Sequence, residues 1–341
     1  MAPVLAAAAL LVAACTGGDE PTGPTDADDP VDGTTSLDPA PTTDESDPTT
    51  SPPPDEAAAT SGPPVGAGLP EGPLTALVVG TDGRGDDPAG RADVVVVAQL
   101  SADHDALTLV SVPRDCLVEI PGVGPDKVNA AWALGGAPLL EETVSDLLGG
   151  LEIDLVATSD FVVFEDLTRW LGGFEVVNRH ASTATDAEGR EVVFPEGRIR
   201  LEGAEALAYV RQRQGLPLGD LDRAERHRAA LLGMTERLAQ VRAEDPARLL
   251  ELLPLLRDGV DLQGDLGLPE LLALVEVGSR LGPEGITSLS VPITGFGTTA
   301  TGASVNLLDE ARLAELAAGL REGDLSGYVA TYGAGYAPTG G

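Results

Sequence analysis

The sequence predicts an α/β domain, a three-layer α/β/α sandwich with a mixed central sheet, preceded by a disordered acidic tether. Short β-rich runs alternate with helical segments from Leu74 onward, which is typical of this class. The run from Val94 to Leu100 is almost continuously apolar, so we expect helices on both faces of that strand. A change of composition near residue 73 separates the tether from the domain.

Charge excludes one class of function. The 341 residues include 55 acidic and 21 basic side chains, which gives a formal net charge of -34. Such a surface repels a nucleic-acid backbone, so no nucleic-acid partner is expected. An anionic ligand would need a local cluster of basic side chains.

The N-terminus predicts export. Residues 1–15 are interpreted as a signal peptide, because the apolar run from Val4 to Ala14 is too short to span a bilayer. It ends in Val-Ala-Ala-Cys, which resembles a bacterial lipobox with Cys15 as the lipidated residue; a plain secretory signal is the alternative. Residues 16–73 contain no basic side chain and are expected to be a disordered linker. We therefore expect a lipid anchor at Cys15 on the outer face of the cytoplasmic membrane.

The catalytic domain is predicted over residues 74–325, with a flexible Gly-rich tail at 326–341. Strands are predicted at Leu74–Val79, Val94–Leu100, Leu107–Val112, Leu151–Ala157, Phe174–Val177 and Ile286–Val291. Helices are predicted at Val128–Leu134, Pro138–Leu148, Phe161–Leu171, Gly203–Gln212, Asp220–Val241, Pro246–Leu256, Pro269–Leu281 and Asp309–Leu320. The polar turn at Ser101–Asp105 makes the second and third strands an antiparallel hairpin.

The loop after the first strand is the first candidate site. It begins with Asp82 and Arg84 and closes with Arg91 and Asp93 at the start of the second strand. Carboxylates at the two ends of such a loop can converge on a hard cation, and the arginines beside them can bind phosphate oxygens. An ordinary turn is the alternative, because Asp and Gly favour turns.

Arg114 is the second candidate, because it follows the third strand directly. A strand end is a rigid position from which a guanidinium can reach a cleft, although an Arg114–Asp115 surface turn is the alternative. Cys116 is interpreted as a half-buried small hydrophobic residue and not a nucleophile, since no His lies near it in the sequence. Lys127, the only lysine, precedes a capped helix.

A basic cluster reverses the local sign of the charge near residue 220. Its members are Arg211, Arg213, Arg223, Arg226 and Arg228. On the helix from Asp220 we expect one face to carry Asp220, Arg223, Arg226 and His227. We expect the opposite face to carry the apolar stripe Leu231, Met234, Leu238 and Val241. Several guanidiniums together can hold a pyrophosphate, whereas a solvated helix with i,i+3 ion pairs is the alternative.

These stretches, in this order, resemble the LytR-CpsA-Psr family of cell-wall glycopolymer transferases. The similarity runs from about Leu74 to about Val241, and more loosely to about Leu320. The matching segments are ALVVGTDGRG, RADVVVVAQL, LTLVSVPRDCLVEIPGVGPDKVNAAWALGG, IDLVATSDFVVFEDLTRWLGGFEVVN and LEGAEALAYVRQRQGLPLGDLDRAERHRAAL.

The resemblance implies transfer of a glycopolymer from a polyprenyl-pyrophosphate carrier to a peptidoglycan hydroxyl, with a phosphodiester as product and pyrophosphatase as a possible side activity. It implies Mg²⁺ or Mn²⁺ at Asp82 and Asp93, and catalytic roles for Asp82, Arg114 and Arg211. The pyrophosphate-binding residues that it implies are Arg84, Arg91, Arg114, Arg211, Arg213, Arg223 and Arg226. Ala92, Cys116 and His227 depart from the residues usual in the family.

Physical chemistry agrees with this interpretation. Phosphoryl transfer needs mainly charge neutralisation, which Mg²⁺ and Arg supply, and Asp82 or Asp220 could accept the proton of the acceptor hydroxyl. A polyprenyl tail needs a long apolar cavity, which we expect beside the helix that carries Phe161, Phe164, Leu167 and Leu171. Those residues equally suit an ordinary core.

Two other functions remain open. An exported lipoprotein without catalytic activity would bind polyprenyl phosphate or wall polymer through the same arginines. A secreted phosphatase would hydrolyse the pyrophosphate instead of transferring the polymer. Magnesium-dependent turnover separates an enzyme from a binding protein, and the product formed with a sugar acceptor separates transfer from hydrolysis.

Overall fold

The computed structural model describes residues 68–81, 92–159, 161–186, 188–212, 214–217, 220–264, 267–299 and 302–333. The predicted signal peptide and residues 16–67 of the predicted linker lie outside these ranges. The candidate residues outside them are Cys15, Asp82, Arg84, Arg91 and Arg213.

Strands and helices alternate along the described chain. The strands are β1 (Leu74–Thr81), β2 (Ala92–Leu100), β3 (Leu107–Pro113), β4 (Leu117–Ile120), β5 (Gly124–Lys127), β6 (Leu155–Ser159), β7 (Phe174–Asn178), β8 (Ser182–Thr185), β9 (Glu191–Phe194), β10 (Gly197–Leu201), β11 (Val260–Gly264), β12 (Ile286–Ser290), β13 (Ile293–Thr298) and β14 (Ser304–Leu308). The helices are α1 (Val128–Leu147), α2 (Phe161–Trp170), α3 (Gly203–Arg211), α4 (Asp220–Glu244), α5 (Leu252–Gly259), α6 (Leu268–Arg280), α7 (Glu310–Glu322) and α8 (Ser326–Tyr332). None of these helices is both long and apolar enough to be a candidate membrane span.

Six strands form the central sheet, in the order β11-β6-β1-β2-β3-β12. β2 is antiparallel to both β1 and β3, whereas β6 runs parallel to β1 and β12 runs parallel to β3. The mixed sheet and the antiparallel hairpin of the second and third strands are therefore confirmed.

Helices cover both faces of this sheet. Neighbouring residues of a strand face opposite sides, so Ala76 and Val78 of β1 belong to one hydrophobic core and Leu77 and Val79 to the other. The first core includes residues of α2, α3, α4 and α6, and the second includes residues of α1 and α7. The three-layer sandwich is confirmed.

Several predicted elements differ in the structure, and two of them bear on the packing. The two helices expected near residue 135 form the single helix α1, with a kink at Gly136, whose φ of 64° favours glycine. The predicted tail begins with the helix α8 in the structure. Tyr328 packs against the second core, and the Tyr332 hydroxyl donates to the Glu315 carboxylate at 3.1 Å.

One edge of the sheet gathers several strand ends. Thr81 at the end of β1 pairs with Ala92 at the start of β2. Pro113 at the end of β3 lies opposite Val94. Ser159 ends β6 at the same edge, because it pairs with a residue near the end of β1. The candidate residues on these strands therefore meet at one edge.

Candidate functional site

Asp93 and Arg114 form an ion pair at this sheet edge. The Arg114 Nη1 atom donates to Asp93 Oδ1 at 2.8 Å, and the side chains are 3% exposed for Asp93 and 23% exposed for Arg114. The antiparallel register of β2 and β3 causes this meeting, because Asp93 begins one strand where Arg114 follows the other. Two of the residues selected from the sequence therefore lie side by side.

A second carboxylate and the only lysine complete this charged cluster. Asp115 Oδ2 lies 3.7 Å from Arg114 Nε, and Asp115 Oδ1 accepts a hydrogen bond from Lys127 Nζ at 2.7 Å. The backbone oxygen of Asp115 accepts from the amide of Asn306 on β14 at 2.8 Å. Cations and carboxylates alternate through the cluster, and backbone contacts hold the turn that carries Arg114.

Cys116 is part of the support for this turn and is not suited to be a nucleophile. Its side chain is fully buried, and burial raises the pKa of the thiol to about 12, although a hydrogen bond with Asn306 acts in the opposite direction. The thiolate is the nucleophilic form, and it is scarce far below the pKa. The interpretation as a small hydrophobic residue is confirmed, with complete rather than partial burial.

The end of α3 is fixed by side chains from α4. The last carbonyl groups of a helix lack partners within it. Here the carbonyl of Tyr209 accepts from Arg226 Nη1 at 3.3 Å, and the carbonyl of Val210 lies 2.8 Å from His227 Nε2. The His227 nitrogen must carry the proton, because a carbonyl only accepts. These contacts set the direction in which the chain leaves Arg211, the last residue of α3.

Arg226 corrects a prediction from the sequence. We expected it in the pyrophosphate-binding set, but its guanidinium is buried, with the residue 4% exposed. It donates to Gln212 Oε1 at 2.7 Å and to Ser182 Oγ at 2.6 Å, and it lies 4.3 Å from the ring centroid of Tyr209. Burial lowers the pKa of this group, against the opposing effects of Tyr209 and Asp222. Arg226 therefore holds protein elements together, and both of its terminal nitrogens already donate to protein acceptors.

The faces of α4 also differ from the expectation. Arg223 and His227 do not lie opposite the apolar stripe, because steps of three and four residues place them in line with Ala230 and Met234. Ala230 and Met234 are buried, and Arg223 and His227 are half-buried. Arg226 instead shares a face with residues that pack on β7. Arg223 therefore begins the inward-facing stripe and does not lie on the face opposite it.

The metal site stays a prediction. In the described ranges, no group of three or more His, Cys, Asp or Glu side chains could hold a metal ion. Asp82, the expected partner of Asp93, lies outside those ranges, and Asp220 is described only as the first residue of α4. A single carboxylate such as that of Asp93 still suits Mg²⁺, which is usually held by one or two carboxylates together with phosphates and water.

The apolar cavity expected beside α2 stays a prediction. Phe164, Leu167 and Leu171 are buried in the first core, where they pack against the sheet and the neighbouring helices. A cavity of about 370 Å³ lies elsewhere, with residues of β7, β10 and α4 in its walls.

Sequence reasoning missed the residues that hold Arg226. Asn178, Ser182 and Gln212 accept its hydrogen bonds. These are ordinary polar residues at the ends of strands and helices, so no pattern of spacing distinguishes them. Only the fold shows that they converge.

The family of the chain follows from a comparison with known proteins. A model of the LytR_cpsA_psr family matches residues 41–322, which include the Asp93–Arg114 pair and helices α3 and α4. The chain belongs to the LytR_cpsA_psr family. The family named in the sequence analysis is thereby confirmed.

Curated relatives match part of this chain. A polyisoprenyl-teichoic acid–peptidoglycan teichoic acid transferase, TagU, of Halalkalibacterium halodurans is 36% identical over 170 residues, which cover 49% of this chain and 54% of the relative. TagU of Bacillus subtilis is 33% identical over 170 residues, covering 50% and 53%. The chain thus spans about half the length of the curated relatives it matches.

Solved structures match more of the fold. B. subtilis TagV has a TM-score of 0.65 and 26% identity over 75% of this chain and 98% of TagV. A structure of TagT bound to LIIa-WTA has a TM-score of 0.57 and 25% identity over 78% of this chain and 94% of TagT. The described architecture is therefore that of the solved family members.

Proposed function

We propose that this protein transfers a glycopolymer from a polyprenyl-pyrophosphate carrier to a peptidoglycan hydroxyl. The acceptor oxygen would attack the phosphorus that bears the glycan, a phosphodiester would form, and polyprenyl phosphate would leave. The observation that carries the proposal is the Asp93–Arg114 pair at the sheet edge, in a chain that belongs to the LytR_cpsA_psr family. Relatives that are named as teichoic acid transferases support it.

Arg114 is the residue we place on the pyrophosphate. Its backbone is fixed at a strand end, and pairing with Asp93 orients the guanidinium before any ligand arrives. Preorganised charge of this kind stabilises a transition state without the cost of reorganisation. Asp93 therefore has two roles in the proposal, as the group that orients Arg114 and as a carboxylate that can hold Mg²⁺.

When Mg²⁺ is bound, it would neutralise charge on the phosphate oxygens. Asp93 offers hard oxygen ligands that suit this ion, and we propose that Asp82 completes the set. Removal of the ion should then abolish turnover without unfolding the domain, because Asp93 stays paired with Arg114.

Arg211 and Arg223 are proposed as further pyrophosphate ligands, together with Arg84, Arg91 and Arg213. The C-terminal end of a helix is partly negative and disfavours an anion. In α3 this effect is reduced, because Arg226 and His227 bond to the last carbonyl groups beside Arg211. Arg223 lies in the first turns of α4, whose N-terminal end favours an anion.

The proton of the acceptor hydroxyl needs a base, and Asp82 or Asp220 is proposed for it. Asp93 is less suited, because its carboxylate is committed to Arg114. We also propose lipidation of Cys15, which would keep the domain near its membrane-borne donor. The Cys15→Ser variant should then be released into the medium, and retention in the membrane fraction would contradict the anchor.

The test is cleavage of geranylgeranyl pyrophosphate by the purified protein, with and without a chelator. We expect metal-dependent turnover that falls by about 100-fold in Arg114→Ala and in Arg211→Ala. Arg169→Ala is the matched control, because Arg169 is half-exposed and pairs with Glu165 and Asp166 of its own helix, α2. Unchanged rates in both test variants would overturn the site, and binding without turnover would favour the non-catalytic lipoprotein.

A further inference from the structure

A cavity on the β7 side of α4 is not used by the proposed reaction. Its volume is about 370 Å³, which lies within the range of roughly 300–1,000 Å³ typical of small-molecule sites. Its buried polar lining residues include Asn178, Asp222 and Arg226, and Val177 and Arg198 line it from the exposed side. The cavity is thus a pocket with a polar floor and an open mouth.

The walls of this cavity are rigid. A Cβ atom at Gly233 would lie 2.1 Å from the backbone oxygen of Glu175, so α4 and β7 are in direct backbone contact. The Asn178 Nδ2 atom donates to the carbonyl of His180 at 2.8 Å and to the carbonyl of Pro195 at 2.8 Å. A site on such fixed elements needs little reorganisation to bind a ligand.

The charges that line the cavity cancel. Three arginines and three carboxylates line the cavity, so its charges sum to zero when His180 is counted as neutral. The whole chain, in contrast, has a formal charge of -34. These six residues are Arg179, Arg198, Arg226, Glu175, Asp222 and Glu236. Arg198 Nη1 lies 2.9 Å from Glu175 Oε2, and His180 Nε2 lies 3.7 Å from Asp222 Oδ1. A polyanion would gain little from such a lining.

The same lining suits a neutral ligand with many hydroxyl groups. A hydroxyl both donates and accepts hydrogen bonds, so it can bond to guanidinium and carboxylate groups together. Val177 and Leu232 add an apolar surface on which the C–H face of a sugar ring can pack. The pattern of charge, size and apolar contact therefore selects a pyranose over a phosphate.

We propose that this cavity binds a neutral pyranose unit of one of the two glycan substrates. The proposal rests on the proposed function and adds a sugar subsite to it. Asp222 lines the cavity, and the next residue, Arg223, belongs to the proposed pyrophosphate set, so the two sites would lie on neighbouring faces of the same turn of α4. The sugar can come from the donor polymer or from the peptidoglycan acceptor.

The test is titration of the purified full chain with two neutral oligosaccharides. A β-1,4-linked N-acetylglucosamine trimer represents the peptidoglycan glycan, and a galactose trimer represents a donor polymer; inorganic phosphate is the charged control. We expect saturable binding of at least one trimer, weakened at least tenfold in Val177→Trp, which fills the mouth, and severalfold in Asp222→Asn. Val123→Trp is the matched control, because Val123 is a similarly exposed valine in the β4–β5 turn.

The outcomes separate this inference from the function on which it rests. Binding of only one trimer supports the cavity and identifies the source of the sugar. Binding of neither trimer overturns the inference, as does equal binding by the wild type and both cavity variants. Arg114→Ala should lose turnover and keep sugar binding. If turnover survives in Arg114→Ala while Val177→Trp still abolishes sugar binding, the proposed function fails and the sugar site stands.

Discussion

Arg114 and Arg226 were both expected from the sequence to bind pyrophosphate, but they lie in different environments in the fold. Arg114 ends a strand, keeps part of its side chain exposed and pairs with Asp93. Arg226 is buried, donates to side chains of three other segments and lies against an aromatic ring. The difference shows that arginines selected together from the sequence can lie in a partly exposed ion pair or in a buried hydrogen-bond network, which only the fold separates.

The largest effect is expected for Arg226→Ala. Removal of this buried cation takes a hydrogen-bond donor from Gln212, from Ser182 and from the carbonyl of Tyr209, and it opens the end of α3. We expect a loss of about 3–5 kcal/mol in the free energy of unfolding, measured by urea denaturation. Arg226→Lys should recover only part of it, because an ammonium group cannot reproduce the planar set of donors. A loss below about 1 kcal/mol would show that Arg226 does not hold these segments together.

The second-largest effect is expected for the partly exposed arginine, Arg114. Arg114→Ala should reduce turnover by about 100-fold, which corresponds to about 2.7 kcal/mol of transition-state stabilisation. Its free energy of unfolding should fall less than that of Arg226→Ala, because Arg114 is partly exposed. The paired measurement is turnover and urea denaturation on both variants. If both variants lose the same free energy of unfolding, and turnover falls in each only as far as that loss explains, the two arginines have the same structural role.

Gly233→Ala tests the contact between α4 and β7. The added Cβ would meet the backbone oxygen of Glu175 at 2.1 Å, so the helix must move away from the strand. We expect a loss of about 1–3 kcal/mol in the free energy of unfolding, the usual cost of overpacking. Gly327→Ala is the control, because a Cβ there meets nothing within 4 Å. Equal stability of both variants would contradict the close packing.

Burial of the Cys116 thiol makes the stability of the folded protein depend on pH. Burial raises the pKa of its thiol to about 12 in the folded state, above the ordinary value near 9.0, so folding favours the protonated thiol. Its contribution to stability is complete below pH 9 and decreases as the pH rises from there toward 12. At pH 8 the native thiol should resist alkylation, and unfolded protein should react readily. The measurement is the rate of labelling with and without urea; fast labelling of the native protein would refute the burial.

The smallest effect is expected for His227→Gln. The Gln amide nitrogen can donate to the carbonyl of Val210 as the His227 Nε2 atom does, so the end of α3 stays capped. We expect a change below about 1 kcal/mol in the free energy of unfolding. His227→Leu, which cannot donate, should lose more. Equal losses in the two variants would show that the hydrogen bond contributes nothing.

Much of the fold was predictable, because its strong elements carry strong patterns. The valine run of β2, the turn at Ser101–Asp105 and the long helix α4 each have a period or a boundary residue that identifies them. The small hairpins β4–β5 and β13–β14 were not predicted, because their strands contain glycine, proline and charged residues whose pairing depends on distant contacts. The hydrogen bond from Asn306 to the carbonyl of Asp115 is one such contact.

The candidate site was predictable in part. Asp93 and Arg114 could be selected because each lies at a strand end, and antiparallel pairing then brings the two together. The different environments of Arg223 and Arg226 could not be predicted, because adjacent turns of a helix differ in burial only after β7 and α3 have packed against it. Arg223 and His227 were assigned to the wrong face of α4 for a related reason, because the basic stretch of this helix leads directly into its apolar stripe.

The most direct test of the central claim is the product formed from a polyprenyl-pyrophosphate-linked glycopolymer and a peptidoglycan fragment, analysed by mass spectrometry for the wild type and for Arg114→Ala. The account predicts a phosphodiester-linked glycan on the fragment with the wild type, none with a chelator, and about 100-fold less with Arg114→Ala. A product that forms equally well with Arg114→Ala, or hydrolysis alone by the wild type, would contradict it.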